Sequence, residues 1–182
     1  KTHVSTQPFD LRLPDNIVTK MNPEGQVYTD HLYCDGQGNA IFKLDTWEIN
    51  ILEKERQQEG FVCWFRNIPN KGSSLCIQYE LGSEIKAHFP DFIVVRRVNN
   101  QYEFSILEPH YIGYSDSVPK LKGMAKYSQL CSSVKRNEMI RIIEMPTGKR
   151  IQRIDVAKSS IRNEVKCLND YDDLNNLFAK LN

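Results

Sequence analysis

An aspartate, a glutamate and a histidine carry the chemistry that this sequence suggests. Asp91 follows Pro90 and precedes the β-branched run Ile93-Val94-Val95, while Glu108 closes a second apolar run and is followed by Pro109 and His110. Residues 92–97 and 102–107 read as strands joined by the turn Val98-Asn99-Asn100-Gln101, so pairing brings both carboxylates to one end of a sheet. Two acids that converge without a basic partner repel unless a hard cation neutralises them. Magnesium suits such a pair because it takes oxygen ligands and keeps several waters. A cation held there acidifies water and stabilises the charge that develops on a phosphodiester. His110 shares the face of Glu108 if the strand continues that far. The same spacing also fits acids that merely mark strand ends beside a turn, and the residues alone leave both readings open.

The elements that must position these groups follow from periodicity and turn chemistry. Residues 1–25 form an irregular segment, with Pro8, Pro14 and Pro23 breaking any pattern. Residues 26–34 and 40–44 read as a hairpin around Asp35-Gly36-Gln37-Gly38. Asp45 or Thr46 caps a helix with Glu48 in its first turn, buried through Trp47, Ile51 and Leu52 and ended by Gly60. Strands are expected over residues 61–66, 75–81, 92–97 and 102–107, and a helix over 116–133, where Asp116 is a capping residue. Residues 139–145 and 150–156 form a second hairpin, and a terminal helix opens at Asp170. The core order αβββαβ, with a hairpin in front and a hairpin and helix behind, predicts one α/β domain over 26–182 around a mixed sheet.

Composition narrows the setting. The chain has 182 residues, 40% hydrophobic and 26% charged, enough for one full core and no membrane-length apolar run. It begins at Lys1-Thr2-His3-Val4, with neither an initiator Met nor the apolar core of a signal peptide, and reads as a domain cut from a longer polypeptide. Five cysteines without a Cys-x-x-Cys pair argue against a zinc or disulfide framework and for a reducing, cytoplasmic setting. The formal charge of +1 is uneven: residues 1–60 hold six Lys/Arg against ten Asp/Glu, residues 119–150 eight against two. The basic stretch reads equally as a footprint for a polyanion or as a solvated lysine-rich surface.

Five blocks carry a family resemblance. Trp47-Glu48, Trp64-Phe65-Arg66-Asn67, Phe89-Pro90-Asp91-Phe92-Ile93-Val94, Ile106-Leu107-Glu108-Pro109-His110 and the stretch from Lys120 to Tyr127 occur in the order of the C-terminal endonuclease domain of type III restriction-like enzymes. The resemblance places the chain in the PD-(D/E)xK nuclease superfamily, runs from about Tyr28 into the terminal helix, and implies a restriction endonuclease-like central mixed sheet flanked by helices. It implies that Asp91 and Glu108 hold Mg2+ (or Mn2+), with the Pro109 carbonyl as a further ligand and Glu48 as an additional acid. His110 occupies the position of the usual motif lysine, so Lys122 or Lys126 on the following helix is expected to supply the ammonium. Arg66, Lys120, Lys122 and Lys126 are the expected DNA contacts. The resemblance further implies double-stranded DNA as substrate, an anti-phage setting, an ATP-dependent helicase or translocase motor, and a modification or specificity subunit. The chain has no Gly-x-x-x-x-Gly-Lys-[Ser/Thr] loop of its own. The other reading is a nuclease-fold domain that binds DNA or docks the motor without cutting.

Bland readings hold elsewhere. His31 and His88 each stand alone in their segments and are expected in surface or hydrogen-bonded structural roles. Trp47 is assigned to the core, and Arg96 and Arg97 lie at the far end of the Asp91 strand, out of reach of the acids.

Overall fold

In the computed structural model, which describes residues 7–19, 22 and 24–182, two apolar strands set the frame. They are β6 (Phe92–Val98) and β7 (Gln101–Pro109), joined by a two-residue turn in which Asn99 and Asn100 both adopt positive φ, 49° and 62°. Asparagine tolerates that conformation, and a turn of this hand matches the twist of the flanking strands. Before them come β1 (Gln26–Tyr28), β2 (Ala40–Phe42), α1 (Thr46–Arg56), β3 (Phe61–Arg66), β4 (Ile77–Leu81) and β5 (Glu84–His88). After them come α2 (Ser117–Leu130), β8 (Val134–Met145), β9 (Gly148–Asp155), α3 (Ser159–Lys166) and α4 (Tyr171–Leu181).

Five strands form the central sheet in the order β3-β6-β7-β8-β9. Every pairing is antiparallel except β7 with β8, which is parallel because α2 carries the chain across. The sheet is therefore mixed and flanked by helices. Both faces are covered. Ile106, Met139 and Ile154 pack under α2, α3 and α4 with Leu121, Met124, Val165 and Phe178. The alternate residues Leu107 and Ile140, with Trp64, Phe92 and Val94, pack under α1 and the β1–β2 hairpin with Tyr28, Ile51 and Leu52. Period-2 alternation explains this division, and each fully buried side chain contributes roughly 1.5–3 kcal/mol.

Several elements differ from the sequence reading. The strand expected over 75–81 is not part of the central sheet: β4 pairs with β5, a strand not foreseen, and the two form a separate hairpin on α2. Only His88 of β5 is buried, so the segment shows no alternation to read. Its turn, Gly82-Ser83 with Gly82 at φ 60°, is the available signal. The hairpin lies directly on the helix backbone. A Cβ at Gly123 would come 2.7 Å from the Cβ of Tyr79 and 2.8 Å from the Gln78 carbonyl. The strand expected over 26–34 ends at Tyr28, because the chain then turns so that His31 bridges Trp64. Helix α1 ends at Arg56 rather than near Gly60, α2 covers a shorter span than 116–133, and α3, buried through Ile161 and Val165, was not read at all.

The described part of residues 1–25 holds no helix or named strand, but it is tied down. Phe9 N–H donates to the Leu130 carbonyl (2.9 Å) and Leu11 N–H to Ser133 Oγ (2.8 Å). The expectations that rest on residues 1–6 and Pro23 lie outside the described residues. Each of the five cysteines is a free thiol. Among the described residues, no helix is long and apolar enough to cross a membrane.

Candidate functional site

Asp91 stands one residue before β6, and the β6–β7 register, Phe92 opposite Leu107, places it opposite Glu108 when continued by one position. The Asp91 backbone amide faces the Glu108 carboxylate and favours its charged form. Asn67, fully buried, clamps this end of the sheet from the other side. Its N–H donates to the Asp91 carbonyl (2.9 Å), its side-chain amide donates to the carbonyls of Pro90 (2.8 Å) and Leu75 (2.9 Å), and its oxygen accepts from Leu75 N–H (2.8 Å). In the sequence Asn67 stands only as the last residue of the Trp64-Phe65-Arg66-Asn67 block, and no spacing there singles it out as the brace of Asp91.

Arg66, the last residue of β3, reaches the same place. Its Nη1 lies 2.6 Å from Glu48 Oε1 and 2.9 Å from Asp91 Oδ1, and its guanidinium sits 5.0 Å from the Phe92 ring centroid. Both contacts are close but poorly aligned, so Nη1 is buried without a directed hydrogen bond. The Arg66 N–H donates to His31 Nε2 (2.9 Å), and burial holds that imidazole neutral, its pKa down at about 4. Glu48 is the third residue of α1 and completes a capping box. Asp45 accepts from Glu48 N–H (2.8 Å), and Glu48 Oε2 accepts from Asp45 N–H (2.7 Å). Glu48 is thus at the site, but one oxygen holds the helix cap and the other faces Arg66.

Around Glu108 the neighbours are histidines. His110 Nδ1 lies 3.2 Å from Glu108 Oε1, and His110 Nε2 lies 3.0 Å from Ser117 Oγ, the first residue of α2. The alternation that puts Glu108 and His110 on one face holds in the structure. His88 Nε2 approaches Glu108 Oε2 to 3.7 Å, too far for a hydrogen bond, and both atoms are buried without a partner. Sequence reading assigned His88 a surface or structural role; the β4–β5 hairpin instead delivers it against Glu108, three residues upstream of Asp91.

Lys120 supplies the nearest ammonium charge. Its Nζ lies 3.1 Å from Asp116, whose carboxylate also accepts from Tyr79 Oη (3.0 Å). Asp116 precedes α2 but makes no side-chain cap bond, so its role is to hold Lys120 and the hairpin. Burial pushes the Glu108 carboxyl up to about 8 against the pull of Lys120. Burial and the neighbouring Glu108 push Asp91 up to about 7, against Arg66. Burial, aided by Lys120, pushes His110 down to about 4 and His88 down to about 3, so both rings are neutral at pH 7.

The donor set fits a hard divalent cation in chemistry. Asp91 and Glu108 are oxygen donors whose charged forms are destabilised where they stand, and Glu108 Oε2 is buried without a partner. Magnesium needs only one or two carboxylates when waters and a phosphate complete its shell. No group of three or more His, Cys, Asp or Glu suited to hold a metal ion is formed among the described residues, and Arg66 already faces Glu48 and Asp91.

An open cleft of about 610 Å3 exposes the site; Trp47, Glu48, Asp91, Pro109, His110 and Lys149 line it. Lys149, near the β8–β9 turn, joins the site only in the fold, and Trp47 packs against the core as expected while its half-buried side chain also lines the cleft. Lys122 and Lys126 lie elsewhere. They are exposed and line a second cleft between α2 and the β4–β5 hairpin, where Lys126 Nζ is 3.9 Å from Glu80. Of the three helix lysines, Lys120 is therefore the one whose charge reaches Glu108. At the other end of the sheet, buried Glu55 and Glu138 are held by Arg136 and Arg153, which ties α1 to β8 and β9, and Arg96 donates to Gln58. Arg96 and Arg97 stay away from the acids, as their distance along β6 requires.

Comparison with known proteins places residues 29–182 in the YagJ family. Protein YagJ of Escherichia coli (strain K12) is 31% identical over 173 residues, covering 89% of this chain and 70% of that protein. No solved structure matches the chain.

Proposed function

The chain belongs to the YagJ family, and we propose that it is a magnesium-dependent nuclease domain that hydrolyses phosphodiester bonds of DNA. One observation carries the reading: two carboxylates, Asp91 and Glu108, are fixed opposite each other at the end of a buried mixed sheet, in surroundings that disfavour their charge. A structural acid gains nothing from such a place, whereas a cation ligand does. The αβββαβ core supports assignment to the restriction endonuclease-like fold, and the type III restriction-like resemblance supplies the reaction class.

Asp91 and Glu108 would hold the cation, with the Pro109 carbonyl beside them. When bound, the cation would supply an acidified water and charge stabilisation at the phosphorus. His110, neutral and oriented by Ser117, keeps one carboxylate oxygen of Glu108 in place. Lys120 is the residue best placed to do the work of the missing motif lysine, by stabilising developing negative charge. Arg66, whose Nη1 lacks a directed hydrogen bond, is suited to a phosphate oxygen. Lys122 and Lys126 extend the basic surface along α2. The motor and any modification or specificity subunit belong to the same reading.

A second reading is favoured by Arg66. With its guanidinium between Glu48 and Asp91, the protein already carries an internal counterion, as a domain that only binds DNA or docks a motor would. Incubating DNA with the protein in Mg2+ or Mn2+ separates the two. The nuclease reading predicts cleavage that Asp91→Asn and Glu108→Gln abolish. Intact DNA, bound with a steep salt dependence by wild type and both variants, would establish the second.

A further inference from the structure

Beside the acids, the cleft has an aromatic wall. The Pro109-His110 corner runs directly into Tyr111, Ile112, Gly113 and Tyr114, of which only Ile112 is buried. Tyr111 and Tyr114 are 61% and 60% exposed, and both line the cleft that exposes Asp91 and Pro109. Their rings meet edge to face with centroids 5.3 Å apart, and Tyr114 in turn stands 5.8 Å from the His110 ring. Trp47 lines the same cleft from α1.

Single exposed aromatics are ordinary on protein surfaces. Three aromatic side chains lining one cleft with Asp91, one of the two acids, are a different arrangement. The loop is also shaped for it. The Tyr111 ring lies over Gly113, where a Cβ would come 2.6 Å from Tyr111 Cε1 and 2.9 Å from its hydroxyl. Only a residue without a side chain leaves room for the ring in that position.

We infer that Tyr111 and Tyr114 form a stacking platform for an unpaired base next to the phosphate at the acidic centre, so that the preferred substrate is single-stranded or frayed nucleic acid rather than blunt duplex. The inference rests on the nuclease reading of the site and names its substrate class. Each base has a π face, whereas in a duplex those faces are covered by neighbours, so an exposed aromatic pair rewards unpaired strands. Charge in the cleft agrees. Lys149 lines it, so a cation for the backbone flanks the rings for the bases. The edge-to-face arrangement leaves ring surface open to solvent on both tyrosines, as a platform requires.

The test is fluorescence anisotropy of a labelled single strand and of the blunt duplex of the same sequence, without divalent metal so that neither is cut. The wild-type protein should bind the single strand at least about tenfold more tightly. Since stacking is worth about 1–3 kcal/mol per base, the double variant Tyr111→Ala/Tyr114→Ala should lose about 5- to 150-fold of single-strand affinity. Its duplex affinity and thermal midpoint should be unchanged, because both side chains stand on the surface. Tyr111→Phe/Tyr114→Phe should bind like wild type, since stacking needs the ring and not the hydroxyl. Equal or tighter binding of blunt duplex overturns the inference, as does an alanine variant that binds like wild type or a phenylalanine variant as weak as the alanine one. Asp91-dependent cleavage of duplex with no tyrosine effect removes the platform alone. Absence of binding to any nucleic acid removes the nuclease reading with it.

Discussion

Replacing Glu108 by glutamine should make the metal-free protein more stable at alkaline pH while destroying its proposed activity. The Glu108 carboxyl titrates at about 8 in the fold, against 4.5 ordinarily. The unfolded chain releases this proton near 4.5 and the folded chain holds it to about 8, so between those values folding takes up a proton. Stability therefore falls as pH rises through that window. At 1.36 kcal/mol per pH unit, the whole interval sets a ceiling of about 4–5 kcal/mol at pH 8. Glutamine keeps the volume, but it weakens the contact with His110 and removes the charge that faces Lys120. The expected net gain is about 1–2 kcal/mol at pH 8, or a rise of roughly 2–8 °C in thermal midpoint for a chain of this size. At pH 5 the folded carboxyl is already protonated, and the gain should shrink below about 1 kcal/mol. The histidines run the other way. His31, His88 and His110 sit below their usual 6.5, so their contribution grows as pH rises towards 6.5 and is complete above it. From 6.5 to 8 the acids alone set the slope. Thermal unfolding of wild type and Glu108→Gln at pH 5, 6.5 and 8 with chelator present measures this. A variant less stable than wild type at pH 8, by a margin equal to that at pH 5, would refute the reasoning.

Other outcomes follow from particular contacts. Asn67→Ala strips three side-chain hydrogen bonds from a fully buried position and should cost about 2–4 kcal/mol by urea unfolding; a loss under about 1 kcal/mol would mean that Asn67 does not brace the Asp91 turn. Gly123→Ala drives a Cβ into the backbone of the β4–β5 hairpin and should destabilise by about 1–3 kcal/mol. If the variant gains the roughly 1 kcal/mol usual for alanine in a helix, the close approach is wrong. Lys120→Met removes the cation that pulls Glu108 down, so the pH profile of any cleavage should move to higher pH and its maximum should fall. Lys122→Met and Lys126→Met should leave that profile in place, and the opposite pattern would restore them as the catalytic lysines.

What the sequence revealed about this fold depended on the range of the interactions involved. The apolar runs over 92–97 and 102–107, the Asn99-Asn100 turn and the Asp45/Glu48 cap are local signals, and the structure shows each of them. Their convergence at Asp91 and Glu108 follows from one hairpin register. The β4–β5 hairpin was misplaced because strand periodicity says nothing about which sheet a strand joins, and its edge strand buries only His88. For the same reason His88 went unrecognised at Glu108, since that contact exists only after the hairpin docks on α2. The sequence points to Lys122 or Lys126 for the ammonium and to Lys120 only as a DNA contact. Only the helix phase, with Ser117 and Lys120 turned towards the sheet end and Lys122 and Lys126 towards the hairpin, separates them. Asn67 acts through backbone groups of residues 8 and 23 positions away, which no spacing rule reveals.

The central claim is that Asp91 and Glu108 gather a divalent cation. Calorimetric titration of Mn2+ into wild type and Asp91→Asn at pH 7, in two buffers of different ionisation enthalpy, tests it most directly. With the two carboxyls at about 7 and about 8, binding must drive off protons, and the account predicts release of about one proton per ion by wild type and loss of binding in the variant. Binding that is equal in both proteins and releases no proton would contradict it.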